Sequence, residues 1–193
     1  MAWLTLNFCA RRHLKDFPMS LTLSQASVPV FTQTLTAMSA CLDKAEAFCA
    51  VKKIDVLVLT GMRLAPDMLA FARQVQLSCD FAKNTSARLA GIDPPKFEDT
   101  EKTFVELKAR IARTLAYIQS VGAKDIDAGA ARDVTFPVGP EMKVTMKGQD
   151  YLLHFALPNF YFHSSIAYSI LRHCGVELGK RDFMGAIPGF APH

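Results

Sequence analysis

Apolar residues recur at steps of three and four through four long segments of this chain, which is the spacing of one face of an α-helix. Segment A covers about residues 24–51, segment B about 66–90, segment C about 100–121 and segment D residues 150–175. We predict a helix in each, with Ser27 as the N-cap of the first, Pro29 in its first turn and Gly91 as the C-cap of the second. The apolar residues of the predicted inner faces are Val28, Phe31, Leu35, Met38, Leu42 and Ala45 in A, Phe71, Val75, Ala82 and Leu89 in B, and Phe104, Leu107, Ile111, Leu115 and Ile118 in C.

The pattern changes between segments C and D. Apolar and polar residues alternate over residues 134–138 and again over 142–146, on either side of the turn signal Gly139-Pro140. A period of two on both sides of a turn predicts a small β-hairpin. Four helices with one apolar stripe each pack most economically as a bundle. We therefore predict an all-α fold, a four-helix bundle with a small β-hairpin between the third and fourth helices.

The two ends of the chain are expected to lie outside this bundle. Residues 1–18 are apolar first and basic afterwards, the reverse of a secretory signal, and Met19-Ser20 looks like a second start. We predict an N-terminal extension over 1–18, which includes His13, a bundle domain over 19–185 and a C-terminal tail over 186–193. From Val176 onward we expect the chain to lie along the surface or to fray.

Composition narrows the possible partners and location. The net charge of the 193 residues is only +4, and the basic residues are scattered, which disfavours a nucleic-acid partner. No apolar run is long enough to span a membrane. The five cysteines are odd in number and lack C-x-x-C spacing, which argues against a disulfide framework or a cysteine zinc site. Reduced thiols are typical of cytosolic proteins, so we expect a cytoplasmic location.

Segment D carries three of the five histidines. At about 100° per residue, His163 lies in the middle of the apolar stripe and should point into the bundle, with Asn159 on the same face. His154 should face solvent, and His173 lies to one side near the helix end. Three histidines that point three ways cannot form one metal site, even if Pro158 kinks the helix. Only His163 is a candidate for interior chemistry.

Partners for His163 are expected on segment B. Four polar residues of that segment share the face of its apolar stripe: Asp67, Gln74, Ser78 and Thr85. A buried polar group without a partner costs a few kcal/mol, so Gln74 and Ser78 must be bonded, with His163 and Asn159 as candidates across the bundle. These four residues are our candidate ligand-binding set. The alternative is that they only satisfy each other and set the register of the bundle.

Five short motifs carry a resemblance to a known family. They are RLAPDM at 63–68, RQVQ at 73–76, PPKFEDTE at 94–101, LPNFYFH at 157–163 and GKRDF at 179–183. With them, the chain from about residue 19 to 185 resembles the domain-of-unknown-function family numbered nineteen ninety-three. That family is considered similar to the DinB/YfiT-like four-helix bundles and has no established activity. The resemblance implies the bundle fold.

The wider DinB-like group also suggests a mechanism by analogy. Many of its members look like metal-dependent enzymes with three histidines on two helices, and some are thiol S-transferases. This sequence departs from that pattern, because segment B has no histidine and segment D has no H-x-x-x-H pair. His163 could match one ligand of such a site. The resemblance then leaves a loose divalent site for zinc, nickel or manganese, built from His163 with Asp67 or Asp80.

Three functional hypotheses follow. The first is a protein that binds a small molecule in a polar pocket between helices, lined by His163, Asn159, Gln74 and Ser78. The second is an atypical metal-dependent thiol transferase that uses His163. The third is a structural or dimerising module, since Tyr161 and Phe162 point off the apolar stripe. We expect a small-molecule ligand and a homodimer, and no nucleic-acid or membrane partner. Whether the protein is an enzyme stays open.

Overall fold

The computed structural model describes residues 21–139 and 141–190. The predicted extension over residues 1–18, with His13 and the adjacent Met19, therefore lies outside the described residues, as does Pro140 of the predicted turn. The last three residues of the predicted tail lie outside them as well.

Four long helices form the predicted bundle. They are α1 (Leu23–Lys52), α3 (Phe71–Ala90), α4 (Phe104–Ser120) and α7 (Leu157–His173). Helix α3 packs against α4 and α7, and α1 packs against the other three. The shorter elements are α2 (Val56–Gly61), α5 (Ala123–Asp127), β1 (Asp133–Val138), β2 (Met142–Lys147), α6 (Gly148–Asp150), a π-helix (Tyr151–Ala156) and α8 (Lys180–Met184). The all-α four-helix bundle with a small hairpin is confirmed.

The first helix begins earlier than predicted. Its N-cap is Thr22, whose side chain accepts from the backbone of Gln25 while the Gln25 side chain accepts from the backbone of Thr22. This capping box satisfies two free N–H groups at once. The prediction of Ser27 as N-cap is wrong, because Ser27 is buried within the helix and donates to the Leu23 carbonyl at 2.6 Å. Pro29 consequently lies inside the helix rather than in its first turn.

Helix α3, which corresponds to the predicted helix of segment B, begins later than predicted, at Phe71. The preceding loop is closed by the Phe71 N–H, which donates to the Met62 carbonyl at 2.8 Å. Asp67 lies in this loop and is exposed, so its predicted place on the inner face of segment B is wrong. The C-cap prediction is confirmed, because Gly91 has a left-handed φ of 75° and its N–H bonds to the last turn.

The hairpin has the predicted alternation. Val134 pairs with Met146 and Phe136 pairs with Val144 in an antiparallel register. Val134 and Phe136 are buried, whereas the residues between them are exposed. The Phe136 ring contacts the ring of Tyr151 at a centroid distance of 4.8 Å. The hairpin therefore covers the beginning of segment D.

Segment D is not one straight α-helix. Its first part is a π-helix, and the N–H of Leu157 donates to the Leu152 carbonyl, five residues back. Pro158 has no N–H, so the α-helical hydrogen bond to the His154 carbonyl cannot form. A π turn takes more residues than an α turn, and it rotates residues 151–156 relative to α7. The straight-helix geometry assumed for this segment is therefore wrong before Leu157.

The chain after α7 does not simply run along the surface. Val176 and Leu178 are buried in the core. Helix α8 then packs on α1, where Asp182 accepts from the Lys44 ammonium at 2.7 Å and Gln33 donates to the Met184 carbonyl at 2.8 Å. The surface-tail expectation from Val176 onward is wrong up to Met184, because two apolar residues and an ion pair fix this segment to the bundle.

Two further observations concern the whole described chain. Within residues 21–139 and 141–190, no helix is both long enough and apolar enough to cross a membrane. The four described cysteines are free thiols, of which Cys41, Cys49 and Cys79 are buried and Cys174 is half-buried.

Candidate functional site

His163 faces the interior of the bundle, as predicted. It lies on α7 opposite the first turn of α3, with 9% of its surface exposed. Its Nδ1 atom lies 2.8 Å from Oε1 of Gln74. The Gln74 side chain is itself 1% exposed. The predicted contact between His163 and Gln74 across the bundle is confirmed.

The hydrogen bonds of Gln74 determine the tautomer of His163. The Nε2 amide of Gln74 donates to the Leu69 carbonyl at 3.1 Å, so Oε1 is the atom that faces the imidazole. An amide oxygen only accepts hydrogen bonds, and Nδ1 of His163 must therefore carry the proton. The tautomer is thus assigned from the hydrogen-bond network. In a neutral imidazole the other nitrogen, Nε2, then bears a free lone pair.

This lone pair reaches solvent. No described residue donates a hydrogen bond to Nε2 of His163. Among residues 21–139 and 141–190, the only fully buried side-chain nitrogen or oxygen without a partner is Nε of Arg110. The Nε2 atom of His163 is therefore not fully buried. It offers a hydrogen-bond acceptor at the edge of an otherwise closed core.

The surroundings of His163 keep it neutral. Burial, with a smaller contribution from the positive charge of Arg73, lowers its pKa from 6.5 to about 4. The Phe81 ring stacks on the imidazole at a centroid distance of 5.6 Å, and Phe162 meets it edge-on at 5.3 Å. At neutral pH the ring is therefore an uncharged acceptor between two aromatic walls.

Ser78 lies one turn after Gln74, but its hydrogen bonds stay within the core. Its hydroxyl donates to the Gln74 carbonyl at 3.0 Å and accepts from the hydroxyl of Ser164 at 3.2 Å. Both serines are fully buried. Sequence reasoning missed Ser164, although a Ser-Ser pair directly after His163 was a usable signal. Ser78 therefore supports the backbone of Gln74 from inside the bundle.

Asn159 does not join the His163–Gln74 pair. It is half-buried, and its side-chain amide donates to the Phe155 carbonyl at 2.7 Å. None of the hydrogen bonds between described residues joins it to His163 or Gln74. Asn159 lies at the beginning of α7, and its amide bonds back to the π-helix that precedes α7. Of the other two histidines of the segment, His154 is exposed as predicted, and His173 near the helix end is exposed as well.

The residues around His163 do not fit the metal site that the DinB-like group suggests. Within the described part of the chain, no group of three or more histidines, cysteines, aspartates or glutamates could hold an ion. Asp67 is exposed in the loop before α3, and Asp80 is paired with Arg110 at 2.9 Å and with Lys83 at 3.1 Å. A catalytic zinc takes three protein ligands. We derive no chemical step through a metal.

A second polar cluster, which the sequence reasoning missed, lies between α3 and α4. The guanidinium of Arg110 is 1% exposed and contacts Asp80 at 2.9 Å, Asp99 at 2.9 Å and Glu101 at 3.1 Å. Arg73 also pairs with Asp99 and thereby connects this cluster to the surroundings of His163. The motifs RQVQ and PPKFEDTE, which supply Arg73, Asp99 and Glu101, were the signal for it.

Five surface clefts in the described part of the chain are lined by side chains other than those of Gln74, Ser78, Asn159 and His163.

The fold and the His163–Gln74 pair together define a DinB-like four-helix bundle with a histidine–amide pair between α3 and α7. The chain belongs to the family described as domain of unknown function DUF1993, whose family model matches residues 23–184. This confirms the family resemblance drawn from the five motifs.

A solved structure supports the same conclusion. The chain is similar to a DinB family member protein from Shewanella denitrificans, with a TM-score of 0.80 and 42% sequence identity. The similarity covers 88% of this chain and 96% of that chain. No curated protein gives a significant match.

Proposed function

We propose that this DinB-like protein binds a small molecule that carries a hydrogen-bond donor, and that Nε2 of His163 is the acceptor. The observation that carries this proposal is the fixed neutral tautomer of His163. Oε1 of Gln74 accepts a hydrogen bond from Nδ1–H of His163 over 2.8 Å, and the Nε2 lone pair reaches solvent. This acceptor atom at the solvent-facing edge of a ring that is otherwise buried can accept a hydrogen bond from a ligand.

The neighbours of His163 support binding in two ways. Phe81 and Phe162 lie against the imidazole and offer apolar contact to a ring or aliphatic group. Gln74 is held by the Leu69 carbonyl, so the imidazole is oriented before any ligand arrives. Ser78 acts as a supporting residue behind Gln74, and the Asn159 amide remains with its own helix.

Ligand-observed NMR with a fragment library tests this proposal. The library pairs fragments that carry an N–H or O–H donor with methylated analogues that lack it. We expect donor fragments to bind the wild-type protein and to lose binding in His163→Phe, which keeps an aromatic ring against Phe81. His154→Phe, a change at an exposed histidine, is the control and should bind as wild type. Equal binding by wild type and His163→Phe would reject the proposal.

Metal analysis separates this proposal from the thiol-transferase alternative. Protein purified without a histidine tag is measured for zinc, nickel and manganese, together with His163→Ala. We expect no metal that depends on His163, because its facing partner is the amide of Gln74. A stoichiometric metal that is lost in His163→Ala would favour the transferase.

We also propose that the protein is a homodimer in the cytoplasm. Tyr161 and Phe162 are 41% and 54% exposed on adjacent positions of α7, which supports a protein contact there. The free thiols support a reducing compartment. We expect light scattering to give a dimer for wild type and a monomer for Tyr161→Ser with Phe162→Ser. A wild-type monomer at high concentration would reject the dimer.

A further inference from the structure

A cleft of about 350 Å³ lies on the outer side of α3, beside the segment that follows it. Asp80, Lys83, Asn84 and Arg88 line it from α3, and residues 94–97 line it from the other side. Arg88 follows Gln74 by roughly four turns, which is about 21 Å along the helix axis. The cleft is therefore separate from the edge of His163.

Arg88 has no acidic partner in the part of the chain that the structure describes. One of its terminal nitrogens donates to the Tyr151 hydroxyl at 3.0 Å. Its guanidinium also lies over the rings of Phe136 and Tyr151, at 5.4 and 5.9 Å from their centroids. Because Nε of Arg110 is the only fully buried unpartnered nitrogen among the described residues, the free N–H groups of Arg88 reach solvent.

Tyr151 holds this guanidinium in place. It is fully buried at the first position of the π-helix, and its hydroxyl lies 3.5 Å from the hydroxyl of Thr85. The hydroxyl can accept from Arg88 and donate to Thr85, so both of its roles are used. π-Helical turns occur frequently at functional sites. Here the π-helix places a buried hydroxyl against the guanidinium of Arg88, which has no counter-ion among the described residues.

The other charges of the cleft leave it positive. Lys83 donates to the Pro95 carbonyl at 2.7 Å and pairs with Asp80 at 3.1 Å. Asp80 is also the partner of the buried Arg110, so its charge is shared between two cations. Lys96 pairs with Glu98, and both side chains are largely exposed. The cleft therefore has cationic groups that remain available to a ligand.

Asn84 adds a neutral polar group between the cations. It is half-buried on α3 and lines the cleft, and no hydrogen bond joins its amide to another described residue. Its side-chain atoms are therefore open to solvent, like those of Arg88. An amide N–H one turn before a guanidinium provides a second donor for the same acceptor group.

We propose that this cleft binds the carboxylate or phosphate group of a small anionic molecule. Arg88 is the principal ligand, because a guanidinium gives two parallel hydrogen bonds to either group. Asn84 and Lys96 complete the contact. Aromatic contact and the Tyr151 hydroxyl hold the Arg88 side chain, so little of its conformational freedom is lost on binding.

The test uses the full chain and two probes, inorganic phosphate and succinate, at constant ionic strength set with sodium chloride. Backbone amide shifts are followed by NMR. We expect saturable shifts confined to residues 83–97 and 148–151, with affinity about tenfold weaker in Arg88→Met. Arg88→Lys should retain less than half of the wild-type affinity. Arg172→Met removes an exposed arginine of α7 and is the matched charge control, which should bind as wild type.

The outcomes separate the two sources of the anion. Tighter binding of phosphate points to a phosphorylated ligand, and tighter binding of succinate to a carboxylate. Neither probe saturating the cleft, or Arg88→Met binding as wild type, would overturn the proposal. If circular dichroism shows that Arg88→Met is unfolded, Asn84→Ala and Lys96→Met replace it. Each should weaken the affinity for the anion by a few-fold. Unchanged affinity in both variants would overturn the proposal. His163→Phe should leave this binding intact.

Discussion

His163 donates a hydrogen bond from Nδ1 to Oε1 of Gln74 over 2.8 Å, between the fourth and second long helices of the bundle. The pair stands at a place where the DinB-like analogy leads one to look for metal ligands. The partner of the imidazole is an amide oxygen, which accepts the Nδ1–H hydrogen bond and so fixes the proton on that nitrogen. The result is a neutral acceptor whose behaviour with pH can be measured.

The free energy of unfolding should decrease as the pH falls from about 6.5 to about 4. In this range His163 binds a proton in the unfolded chain but not in the folded chain. Its pKa is lowered from 6.5 to about 4 by burial and by Arg73. Between these two values the unfolded chain binds more protons than the folded chain, so the free energy of unfolding decreases toward low pH. The loss from this residue reaches about 3 kcal/mol by the lower end of the window.

Urea unfolding at pH 7.5, 6.0 and 5.0 measures this effect. In His163→Phe the decrease in the free energy of unfolding between pH 7.5 and 5.0 should be smaller than in wild type, because the titrating group is gone. His154→Phe is the control, since that histidine is exposed and its removal should preserve the wild-type slope. Parallel curves for wild type and His163→Phe would show that the imidazole is not buried in neutral form.

The partner of the imidazole should control its pKa. Gln74→Glu places a carboxylate beside His163, and an opposite charge at this distance favours the protonated ring. We expect the pKa of His163, followed by NMR of the ring protons, to rise by one unit or more above its wild-type value of about 4. Gln74→Met removes the acceptor without adding charge and should give no such rise. A similar pKa in both variants would contradict the contact.

The sequence was sufficient for the bundle because burial in helices is periodic. Apolar residues occupy one face of the helix from Phe104 to Ile118 and one face of the strand around Phe136. In both elements the structure buries that face. The inward direction of His163 followed from the same periodicity, since it is counted from neighbouring apolar positions on the same α-helix. The Gln74 contact followed from the need to satisfy two buried polar groups.

Other features could not be read in this way because they depend on local competition or on contacts distant in sequence. Thr22 and Ser27 both fit the composition of an N-cap, and only the Gln25 partner decides between them. The π-helix changes the number of residues per turn, so the helical wheel failed for the part of segment D before Leu157. Asn159 lies after that point, on α7, and its amide bonds to the Phe155 carbonyl instead of to a residue across the bundle. The partners of Arg110 come from α3 and from the loop before α4, and no periodic pattern in the sequence predicts these contacts.

That arginine cluster should be important for stability. Arg110→Met removes the only residue that contacts Asp80, Asp99 and Glu101 together in the described structure. The carboxylates would then repel each other in a partly buried site, and breaking a buried ion pair from one side costs about 3–5 kcal/mol. Arg113→Met is the matched control. Arg113 is exposed and lies over the Phe97 ring at 3.7 Å, so its loss should cost under about 1 kcal/mol.

Chemical denaturation of the two variants tests this difference. If Arg110→Met and Arg113→Met lower the free energy of unfolding by equally small amounts, solvent screens the cluster as it screens exposed ion pairs. The same measurement in high salt separates the two cases further. Salt should change the stability of wild type little, because the Arg110 side chain is 1% exposed.

Gly129 and Gly61 differ in the space around them, because backbone atoms surround the first and none approaches the second. A Cβ at Gly129 would overlap the carbonyl oxygen of Leu89, and the carbonyl of Gly129 in turn closely approaches Gly148. Backbone atoms cannot yield as a flexible side chain does, so Gly129→Ala should cost about 2–3 kcal/mol. At Gly61, in the last position of α2, an added Cβ meets nothing within 4 Å.

Gly61→Ala should therefore stabilise the protein by about 0.5–1 kcal/mol, because alanine loses less backbone entropy on folding. The two variants carry the same chemical change, and urea unfolding of both gives shifts of opposite sign if the close approach at Gly129 is real. Because Leu89 is near the end of α3 and Gly148 begins α6, the contact holds the end of α3 against the start of segment D. A neutral Gly129→Ala would mean that this end of the bundle can open by several tenths of an ångström without cost.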